Sequence, residues 1–408
     1  MKCGLLGGKL GHSYSPQIHS HLGDYSYSLF EKSAEELEEF LKNGDYSGLN
    51  VTIPYKQAVI PYCDLLSPVA EMLGAVNTIV RRQDGTLVGH NTDYFGFETM
   101  LAESGLSVRG KKALVLGSGG ASKTAVAVLS NHGANVVVIS RSGENNYQNL
   151  SIHADASLIV NTTPVGMFPN PGVSAVSLDG FPQLEGVLDL IYNPARTRIL
   201  LDAKAQNLVA MNGLLMLVAQ AWESAQWFTG SSIDKGKIRE IHHILEKQMQ
   251  NIILIGMPGS GKSTVGRILA EKTGKRFVDA DEYLEQKYGV SIPDVIQNQG
   301  EAAFRGLETG VLQELGMESC LVIATGGGCV TRAENDPHLH QNGQVFCLER
   351  DLEKLPTSGR PLSQRTSLVE MYRCRKPLYD RFADFHVDCN ATPQRAAAEI
   401  LRIWEEEP

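Results

Sequence analysis

The chain has 408 residues, of which 42% are hydrophobic and 20% are charged, and its net charge is −9 at pH 7. This length predicts two or three domains with their own cores, and the composition excludes a disordered or low-complexity chain. The acidic balance argues against general binding to nucleic acid or to anionic membranes.

Seven cysteines are scattered along the chain without a C-x-x-C pair, which indicates neither a disulfide framework nor a zinc knuckle. Residues 1–6 are too short and too interrupted by Gly4 for a signal peptide, and the apolar stretches near Leu214 and Ile252 fall short of a membrane span. We therefore expect a cytoplasmic protein with reduced thiols and small-molecule ligands, whose oligomeric state the sequence leaves open.

Short β-branched runs alternate with helical stretches along the chain, a pattern typical of α/β folds with parallel sheets. Residues 1–98 are predicted to form a first αβ domain, with helices at about 34–42 and 66–73 and one strand ending at 48–52.

Four polar clusters lie at predicted strand ends of this domain, at residues 12–16, 50–56, 74–78 and 89–93. Each cluster alone is typical of a turn, but hydroxyl and amide groups gathered together suit a polyhydroxylated ligand, because each ligand hydroxyl needs a partner. Lys56 and Asp93 stand in two of these clusters. Such a pair can move a proton while a cofactor moves a hydride.

Residues 99–212 are predicted to form a doubly wound domain, because strand-like runs follow one another between helical stretches. The runs lie at 113–116, 136–139, 158–160 and 187–190. Gly117 after the first run allows a tight turn, and Gly119 lets the backbone approach a pyrophosphate at a helix N-terminus. Ser122 stands where the strict dinucleotide fingerprint has its third glycine, so the match is imperfect.

Arg141 follows the second strand-like run, where an NAD site carries Asp or Glu. An arginine there suits the 2′-phosphate of NADP, with a solvated surface arginine as the alternative. The stretch from Arg141 to Asn161 looks short, as if a helix were trimmed. Two helices, 213–228 and 234–249, are predicted to pack back on this half of the chain.

In this order the clusters closely resemble those of shikimate dehydrogenases, over about residues 3–248 and including the runs at 161–167 and 189–194. The resemblance implies reversible, NADPH-dependent reduction of 3-dehydroshikimate to shikimate, with Lys56 as proton donor and Asp93 beside it. The substrate ligands that it implies are Ser13, Ser15, Thr52, Asn77, Asp93, Tyr192 and Gln220. The NADP ligands that it implies are Gly117, Gly119, Gly120, Ala121, Ser140, Arg141, Thr162 and Gly213. Ser140 and Ser142 replace the Asn and Thr that are common in the family.

The next strand-like run, 251–255, leads into Gly256-Met257-Pro258-Gly259-Ser260-Gly261-Lys262-Ser263. This G-x-x-x-x-G-K-S pattern between a strand and a helix is typical of a P-loop, whose backbone N–H groups cradle phosphates. In such a loop Lys262 reaches the β- and γ-phosphates of ATP, and Ser263 is a ligand of Mg²⁺.

Charged residues downstream indicate what accepts the phosphoryl group. Asp279 and Asp281 follow the second predicted strand of this half and can serve Mg²⁺ and an acceptor hydroxyl. Arg305 and Arg375 can clamp a carboxylate with the planar fork that lysine lacks.

This set closely resembles that of shikimate kinases over about residues 250–390, and the resemblance implies phosphorylation of shikimate at its 3-hydroxyl, with Asp281 near that hydroxyl. Shikimate would be held by Asp281, Arg305, Gly326, Gly327, Gly328 and Arg375. ATP would be held by Gly259, Ser260, Gly261, Lys262, Ser263, Thr264 and Arg360, and Mg²⁺ by Ser263 and Asp279. The lid at about 353–363 looks short and lacks a second arginine ahead of Arg360.

The two halves resemble consecutive steps of one pathway, so we predict a bifunctional enzyme of aromatic amino-acid biosynthesis. Its segments are a substrate domain at 1–98, an NADP domain at 99–212, dehydrogenase helices at 213–249 and a P-loop kinase domain at 250–408. A quinate-tolerant dehydrogenase joined to a kinase is one alternative. A sensor that binds nucleotide and shikimate with weak turnover is another, although a pure binder would not need Lys56, Asp93, Lys262 and Asp281.

Overall fold

The structure is a computed structural model that describes residues 1–11, 13–355 and 368–406. The chain divides into two compact units. Unit 1 comprises Met1–Gly166, Val173–Tyr192 and Asp202–Ile244, and unit 2 comprises Met167–Gly172, Asn193–Leu201 and Leu245–Pro408. Within the described ranges, no helix combines the length and apolar character that crossing a bilayer requires.

Unit 1 begins with a mixed six-stranded sheet in the order β2-β1-β3-β5-β6-β4. Its strands are β1 (Lys2–Gly7), β2 (Ser26–Glu31), β3 (Gly48–Val51), β4 (Leu65–Leu66), β5 (Thr78–Arg81) and β6 (Leu87–His90). The helices along this stretch are α1 (Ser15–Ser20), α2 (Leu37–Asn43), α3 (Pro68–Leu73) and α4 (Asp93–Glu103). β1 runs parallel to β3, whereas β5 is antiparallel to β3 and β6. The carboxyl ends of β1, β3 and β6 therefore meet the amino end of β5 at one edge.

The helices predicted at 34–42 and 66–73 are α2 and α3, and both begin later than predicted. For α3 the reason is its N-cap: Ser67 has extended backbone angles, and its side chain accepts a hydrogen bond from Ala70 N.

The second sheet of unit 1 has five parallel strands in the order β11-β10-β9-β7-β8. Its strands are β7 (Lys112–Leu116), β8 (Asn135–Ile139), β9 (Leu158–Asn161), β10 (Gly186–Asp189) and β11 (Val209–Met211). The helices along this stretch are α5 (Gly120–Asn131), α6 (Arg198–Ala205), α7 (Leu214–Thr229) and α8 (Gly236–Met249). The strand order reverses between β7 and β9, which is where open parallel sheets bind their ligands.

Two connections in this sheet lack the helices of a regular doubly wound fold. Between β8 and β9 the chain forms only a 3₁₀ turn at Leu150–His153, which confirms the trimmed segment. Between β9 and β10 no helix forms, contrary to the predicted alternation. The prolines of that loop explain the difference, because a helix interior does not tolerate proline. They are Pro164, Pro169, Pro171 and Pro182.

Unit 2 contains a third sheet of five parallel strands in the order β13-β14-β12-β15-β16. Its strands are β12 (Asn251–Ile255), β13 (Arg276–Asp279), β14 (Leu321–Ala324), β15 (Gly343–Glu349) and β16 (Phe385–Asp388). Its helices are α9 (Lys262–Thr273), α10 (Ala280–Tyr288), α11 (Ile292–Gln299), α12 (Glu301–Met317), α13 (Asn335–His340), α14 (Leu368–Phe382) and α15 (Pro393–Glu406).

The central strand β12 is apolar from Ile252 to Ile255 because both faces of this sheet are covered. Ile253 and Ile255 belong to the core on one face, and Ile252 and Leu254 belong to the core on the other. The predicted α/β fold class, with two parallel sheets and a P-loop domain, is therefore confirmed.

Candidate active sites

The polar clusters of unit 1 meet at one edge of its first sheet. Backbone hydrogen bonds hold the strand ends together: Thr52 N donates to Leu6 O at 2.9 Å, and Asn77 N donates to His90 O at 3.0 Å. Asp93 begins α4 three residues after the end of β6. Residues that are far apart in sequence thus share one edge of the sheet.

Lys56 and Asp93 form an ion pair in this cluster. Lys56 Nζ lies 2.6 Å from Asp93 Oδ2, and the two side chains are 31% and 16% exposed. Because Asp93 is the first residue of α4, the partial positive charge of the helix N-terminus stabilises its carboxylate. A partly exposed ammonium held in this way can give a proton to a bound ligand.

Ser13 and Ser15, two of the predicted substrate ligands, lie at the start of α1. Ser15 N donates to Ser13 Oγ at 3.2 Å, and the Ser15 side chain is buried. Tyr14 packs edge-on against Tyr192, with ring centroids 6.2 Å apart. Burial raises the pKa of Tyr192, so its hydroxyl stays protonated and can donate a hydrogen bond. The structure therefore brings Tyr192 beside the serine pair.

Thr92 is a member of this site to which the sequence pattern assigned no role. Asn77 Oδ1 accepts from Thr92 N at 2.7 Å, and Asn77 Nδ2 donates to Thr92 Oγ1 at 3.1 Å. Thr92 Oγ1 donates in turn to Gln220 Oε1 at 3.5 Å. The buried threonine thus links two predicted ligands from distant segments. The available signal was its place in the polar run that ends at Asp93.

The turn between β7 and α5 fits a dinucleotide. Gly117 has φ +105°, which glycine adopts without strain, and a Cβ there would lie 2.9 Å from Thr162 Oγ1 at the end of β9. In the described structure no heavy atom lies within 4 Å of a Cβ built at Gly119 or Gly120. Ala121 is exposed at the same end of the helix. This open space at a helix N-terminus suits a pyrophosphate.

Ser122, which replaces the third fingerprint glycine, is buried. The remaining predicted NADP residues lie at two further places. Arg141 is exposed after β8, next to Ser140, whose N donates to Asn145 O at 3.1 Å. A Cβ at Gly213 would lie 2.1 Å from Leu190 O, so only glycine permits this start of α7.

The loop between β12 and α9 in unit 2 has the predicted P-loop form. Its left-handed backbone angles, which favour glycine, occur at Gly256, Gly259 and Gly261. Lys262 Nζ donates to Gly256 O at 2.9 Å and to Met257 O at 3.0 Å, so the lysine lies along the loop. Ser260 is buried, whereas Thr264 is exposed in the first turn of α9.

Two oxygen ligands suited to Mg²⁺ lie together beside this loop. Ser263 Oγ donates to Asp279 Oδ2 at 2.6 Å. Asp279 Oδ1 accepts from Asp281 N at 3.1 Å, which fixes the carboxylate at the N-cap of α10. Hydroxyl and carboxylate oxygens are the ligands that Mg²⁺ prefers, so the donor set fits the ion.

Asp281 stands in an acidic, buried corner of unit 2. Burial, followed by the nearby carboxylates of Glu308 and Asp279, raises the pKa of Asp281 to about 6. A Cβ at Gly326 would lie 2.5 Å from Glu308 Oε1 and 2.8 Å from Asp281 Oδ1. The glycine therefore leaves room for both carboxylates. Glu308 was not identified from the sequence, because a glutamate on a helix is usually a surface residue.

Two arginines face the same corner. Arg305 donates from one terminal nitrogen to Glu308 Oε2 at 2.7 Å, and Arg375 donates to Gly327 O at 3.0 Å. A Cβ at Gly328 would lie 2.0 Å from a nitrogen of Arg305, so the glycine run lets the guanidinium approach the backbone. Such positioned guanidinium groups can bind a carboxylate.

One cavity of about 530 Å³ joins the P-loop to this corner, a size that suits small ligands. Its lining includes Gly259, Gly261, Lys262, Ser263, Thr264, Asp279, Asp281, Arg305, Gly326, Gly327, Gly328 and Arg375. Arg350 also lines the cavity and was not identified from the sequence. Arg360, with most of the predicted lid at 353–363, lies outside the described residues.

Known protein families match both parts of the chain. Residues 258–405 match the shikimate kinase family, and residues 5–79 match the shikimate dehydrogenase substrate-binding domain. The NADP⁺ shikimate dehydrogenase of Clostridium beijerinckii is 36% identical over 268 residues, which are 60% of this chain and 98% of that protein.

Solved structures agree with this match. Shikimate dehydrogenase 1 from Peptoclostridium difficile is 38% identical with a TM-score of 0.55, covering 60% of this chain and 97% of that chain. A chorismate mutase/shikimate 5-dehydrogenase fusion protein from Clostridium acetobutylicum is 36% identical with a TM-score of 0.58 and the same coverage, 60% and 97%. The chain therefore belongs to the shikimate dehydrogenase family and carries a shikimate kinase domain in its C-terminal part.

Proposed function

We propose that the chain catalyses two consecutive reactions of the shikimate pathway. Unit 1 reduces 3-dehydroshikimate to shikimate with NADPH, and unit 2 phosphorylates shikimate to shikimate 3-phosphate with ATP and Mg²⁺. In this proposal residues 1–98 form the substrate domain, 99–212 the NADP domain, 213–249 the dehydrogenase helices and 250–408 the kinase domain. The family matches support this assignment.

The 2.6 Å contact between Lys56 Nζ and Asp93 Oδ2 carries the reductase proposal. NADPH supplies the hydride when bound. Lys56 gives a proton to the ketone oxygen as negative charge develops there, and Asp93 orients the ammonium. Substrate would be held through its carboxylate and hydroxyls by Ser13, Ser15, Thr52, Asn77, Tyr192 and Gln220.

The dinucleotide would be held by the β7–α5 turn. Gly117, Gly119, Gly120 and Ala121 leave room for the pyrophosphate, and Arg141 beside Ser140 would bind the 2′-phosphate. Thr162 and Gly213 border the same crevice at the strand ends.

The cavity shared by the P-loop and the acidic corner carries the kinase proposal. Asp281 accepts the proton of the 3-hydroxyl while the hydroxyl oxygen attacks the γ-phosphorus of ATP. The bond from that phosphorus to the β–γ bridging oxygen breaks, ADP leaves, and Lys262 stabilises the charge on the phosphates. Arg305 and Arg375 would hold the shikimate carboxylate. The backbone of Gly326, Gly327 and Gly328 would also contact shikimate. Ser263 and Asp279 would hold Mg²⁺, and the other P-loop residues and Arg360 would contact ATP.

A coupled assay tests both halves together. Purified protein receives 3-dehydroshikimate, NADPH, ATP and Mg²⁺, while NADPH absorbance and shikimate 3-phosphate are followed over time. We expect the phosphate to form only when both nucleotides are present. Accumulation of shikimate without the phosphate would contradict the kinase half, and binding of both nucleotides without turnover would favour the sensor alternative. Comparing kcat/KM for quinate and shikimate in the same preparation tests the quinate-tolerant alternative.

A further inference from the structure

A network of polar side chains crosses one face of the first sheet of unit 1. Tyr27 on β2 lies opposite Cys3 of β1, and Asn50 on β3 lies opposite Leu5 of the same strand. Because alternate residues of a strand point to the same face, Tyr27 and Asn50 share one face with β1 between them. The Tyr27 side chain spans this gap, since its hydroxyl donates to Asn50 Oδ1 at 2.7 Å.

The network reaches a proposed substrate ligand at each end. Asn50 Nδ2 donates to Thr78 Oγ1 at 3.2 Å, and Thr78 Oγ1 donates to Asn77 Oδ1 at 3.1 Å. At the other end, the Ser15 side chain is a hydrogen-bond partner of the Tyr27 hydroxyl. Apart from the tyrosine, all of these residues are buried. The Tyr27 network thus connects Ser15 to Asn77, two ligands from distant segments.

Neighbouring aromatic side chains hold Tyr27 in place. Its ring stacks on His19, with centroids 4.0 Å apart and an interplanar angle of 10°. His19 Nδ1 is bonded to the Tyr25 hydroxyl at 2.7 Å, and burial lowers the pKa of His19 to about 3, so its ring is neutral. Burial raises the pKa of Tyr27 well above its usual range. The Tyr27 hydroxyl therefore stays protonated and can donate its hydrogen bond.

The Tyr27 hydroxyl contributes hydrogen bonds rather than packing, because phenylalanine would place the same ring against His19. Buried hydrogen bonds in a network polarise one another, so a displacement at one end affects the other. Lys56 and Asp93, which handle the proton in the proposed reaction, are bonded to each other and are not members of the network. Loss of the hydroxyl should therefore change substrate affinity and leave proton transfer intact.

We propose that Tyr27 is a positioning residue of the reductase. Its hydroxyl couples Ser15 to Asn77, so that both ligands take their binding orientation together. This inference rests on the reductase function proposed above. Tyr27 acts through these two ligands and needs no contact with the substrate.

The test uses Tyr27→Phe in the full chain, which removes one oxygen atom. Thr78→Val breaks the network at another bond and serves if the first variant fails to fold. Tyr46→Phe is the matched control, because the Tyr46 hydroxyl donates to Leu41 O at 2.6 Å in the core of the same unit. For each variant, KM and kcat are measured with 3-dehydroshikimate, and kinase turnover on added shikimate reports whether the protein is intact.

Two further measurements separate positioning from a general loss of stability. Tyr27→Phe is also made in an Asn77→Ala background, because a double-mutant cycle isolates the coupling of two residues. The side-chain amide resonance of Asn77 is followed by NMR in the ligand-free protein and is identified by its loss in Asn77→Ala.

We expect Tyr27→Phe and Thr78→Val to raise KM about 3- to 10-fold, the range of one buried hydrogen bond, with kcat within about 2-fold of the wild type. In the Asn77→Ala background, Tyr27→Phe should raise KM by less than about 2-fold. The Asn77 amide resonance should shift in Tyr27→Phe, whereas Tyr46→Phe should change neither KM nor this resonance.

An increase in KM that is equally large in the Asn77→Ala background would overturn the proposal, and so would an unchanged Asn77 amide resonance in Tyr27→Phe. If the wild type does not reduce 3-dehydroshikimate, the reductase function fails. The resonance is measured without substrate, so it still reports whether Tyr27 positions Asn77.

Discussion

Ser263 Oγ donates a 2.6 Å hydrogen bond to Asp279 Oδ2, which joins the first turn of the P-loop helix to the end of β13. Two residues further on, Asp281 enters the same cavity. The predicted ligands of Mg²⁺ and the predicted base for the acceptor hydroxyl therefore share one corner of unit 2. These groups can therefore hold the phosphoryl donor and the acceptor close together. Two molecules bound in this way lose less entropy on reaching the transition state of phosphoryl transfer.

Lys56→Ala is expected to lower kcat of the reductase by about 10²- to 10⁴-fold, the range of a general acid, and to leave kinase turnover on added shikimate unchanged. Both rates are measured on one preparation, so the kinase rate reports whether the protein is intact. Lys42→Ala is the matched control, because Lys42 pairs with Glu38 on an exposed helix face. A reductase rate within about 2-fold of the wild type would refute the role of Lys56.

The kinase is expected to lose kcat/KM for shikimate as the pH falls below about 6. The pKa of Asp281 is raised from 3.8 to about 6, chiefly by burial and then by Glu308 and Asp279. Only the ionised carboxylate can accept the proton of the hydroxyl, so activity is present above that pKa and lost below it. The profile is measured with shikimate as the added substrate. Asp281→Asn should abolish most turnover, whereas exposed Asp294→Asn should keep the wild-type profile.

Gly326→Ala tests whether the carboxylates of Glu308 and Asp281 can be displaced without loss of kinase activity. The added Cβ would lie 2.5 Å from Glu308 Oε1 and 2.8 Å from Asp281 Oδ1, so at least one carboxylate has to move. We expect kcat/KM for shikimate to fall by at least about 10-fold, since small misplacement of catalytic groups is costly. Gly306→Ala is the control, because no described atom lies within 4 Å of its Cβ position. Equal kinetics in the two variants would show that the corner tolerates movement.

Glu223 is expected to make the stability of unit 1 depend on pH. Burial, then repulsion by Glu98, raises its pKa from 4.5 to about 7, and its Oε2 is buried without a partner. The folded state therefore holds the proton more tightly than the unfolded state, and stability declines as the pH rises from about 4.5 to about 7 and is constant above.

Glu223→Gln removes this titration. We expect it to raise the free energy of unfolding by about 1–3 kcal/mol at pH values above about 7, with the gain shrinking as the pH falls towards about 4.5. Scanning calorimetry of the variant and the wild type across this range measures the difference. Exposed Glu71→Gln should show no such pH dependence. A gain for Glu223→Gln that is the same at both ends of the range would contradict the assignment.

The sequence by itself determined the local motifs and elements of both halves of the chain. The P-loop was readable because its glycines need left-handed backbone angles at fixed spacing, and β12 was predicted with the residues that the structure shows, 251–255. The trimmed connection after β8 was readable from its length, and the structure shows only a 3₁₀ turn there. Such features are decided within a few residues, by backbone sterics and by the period of apolar side chains.

Only the tertiary structure decided which side chains meet. Thr92 joins Asn77 to Gln220 because β5, β6 and α7 converge, and no local pattern predicts a contact between α7 and residues so far away in sequence. Glu308 and Arg350 were not identified from the sequence, yet the fold places the first against Asp281 and the second at the wall of the cavity. Burial and long-range strand order create these relationships, and neither is encoded in the spacing of nearby residues.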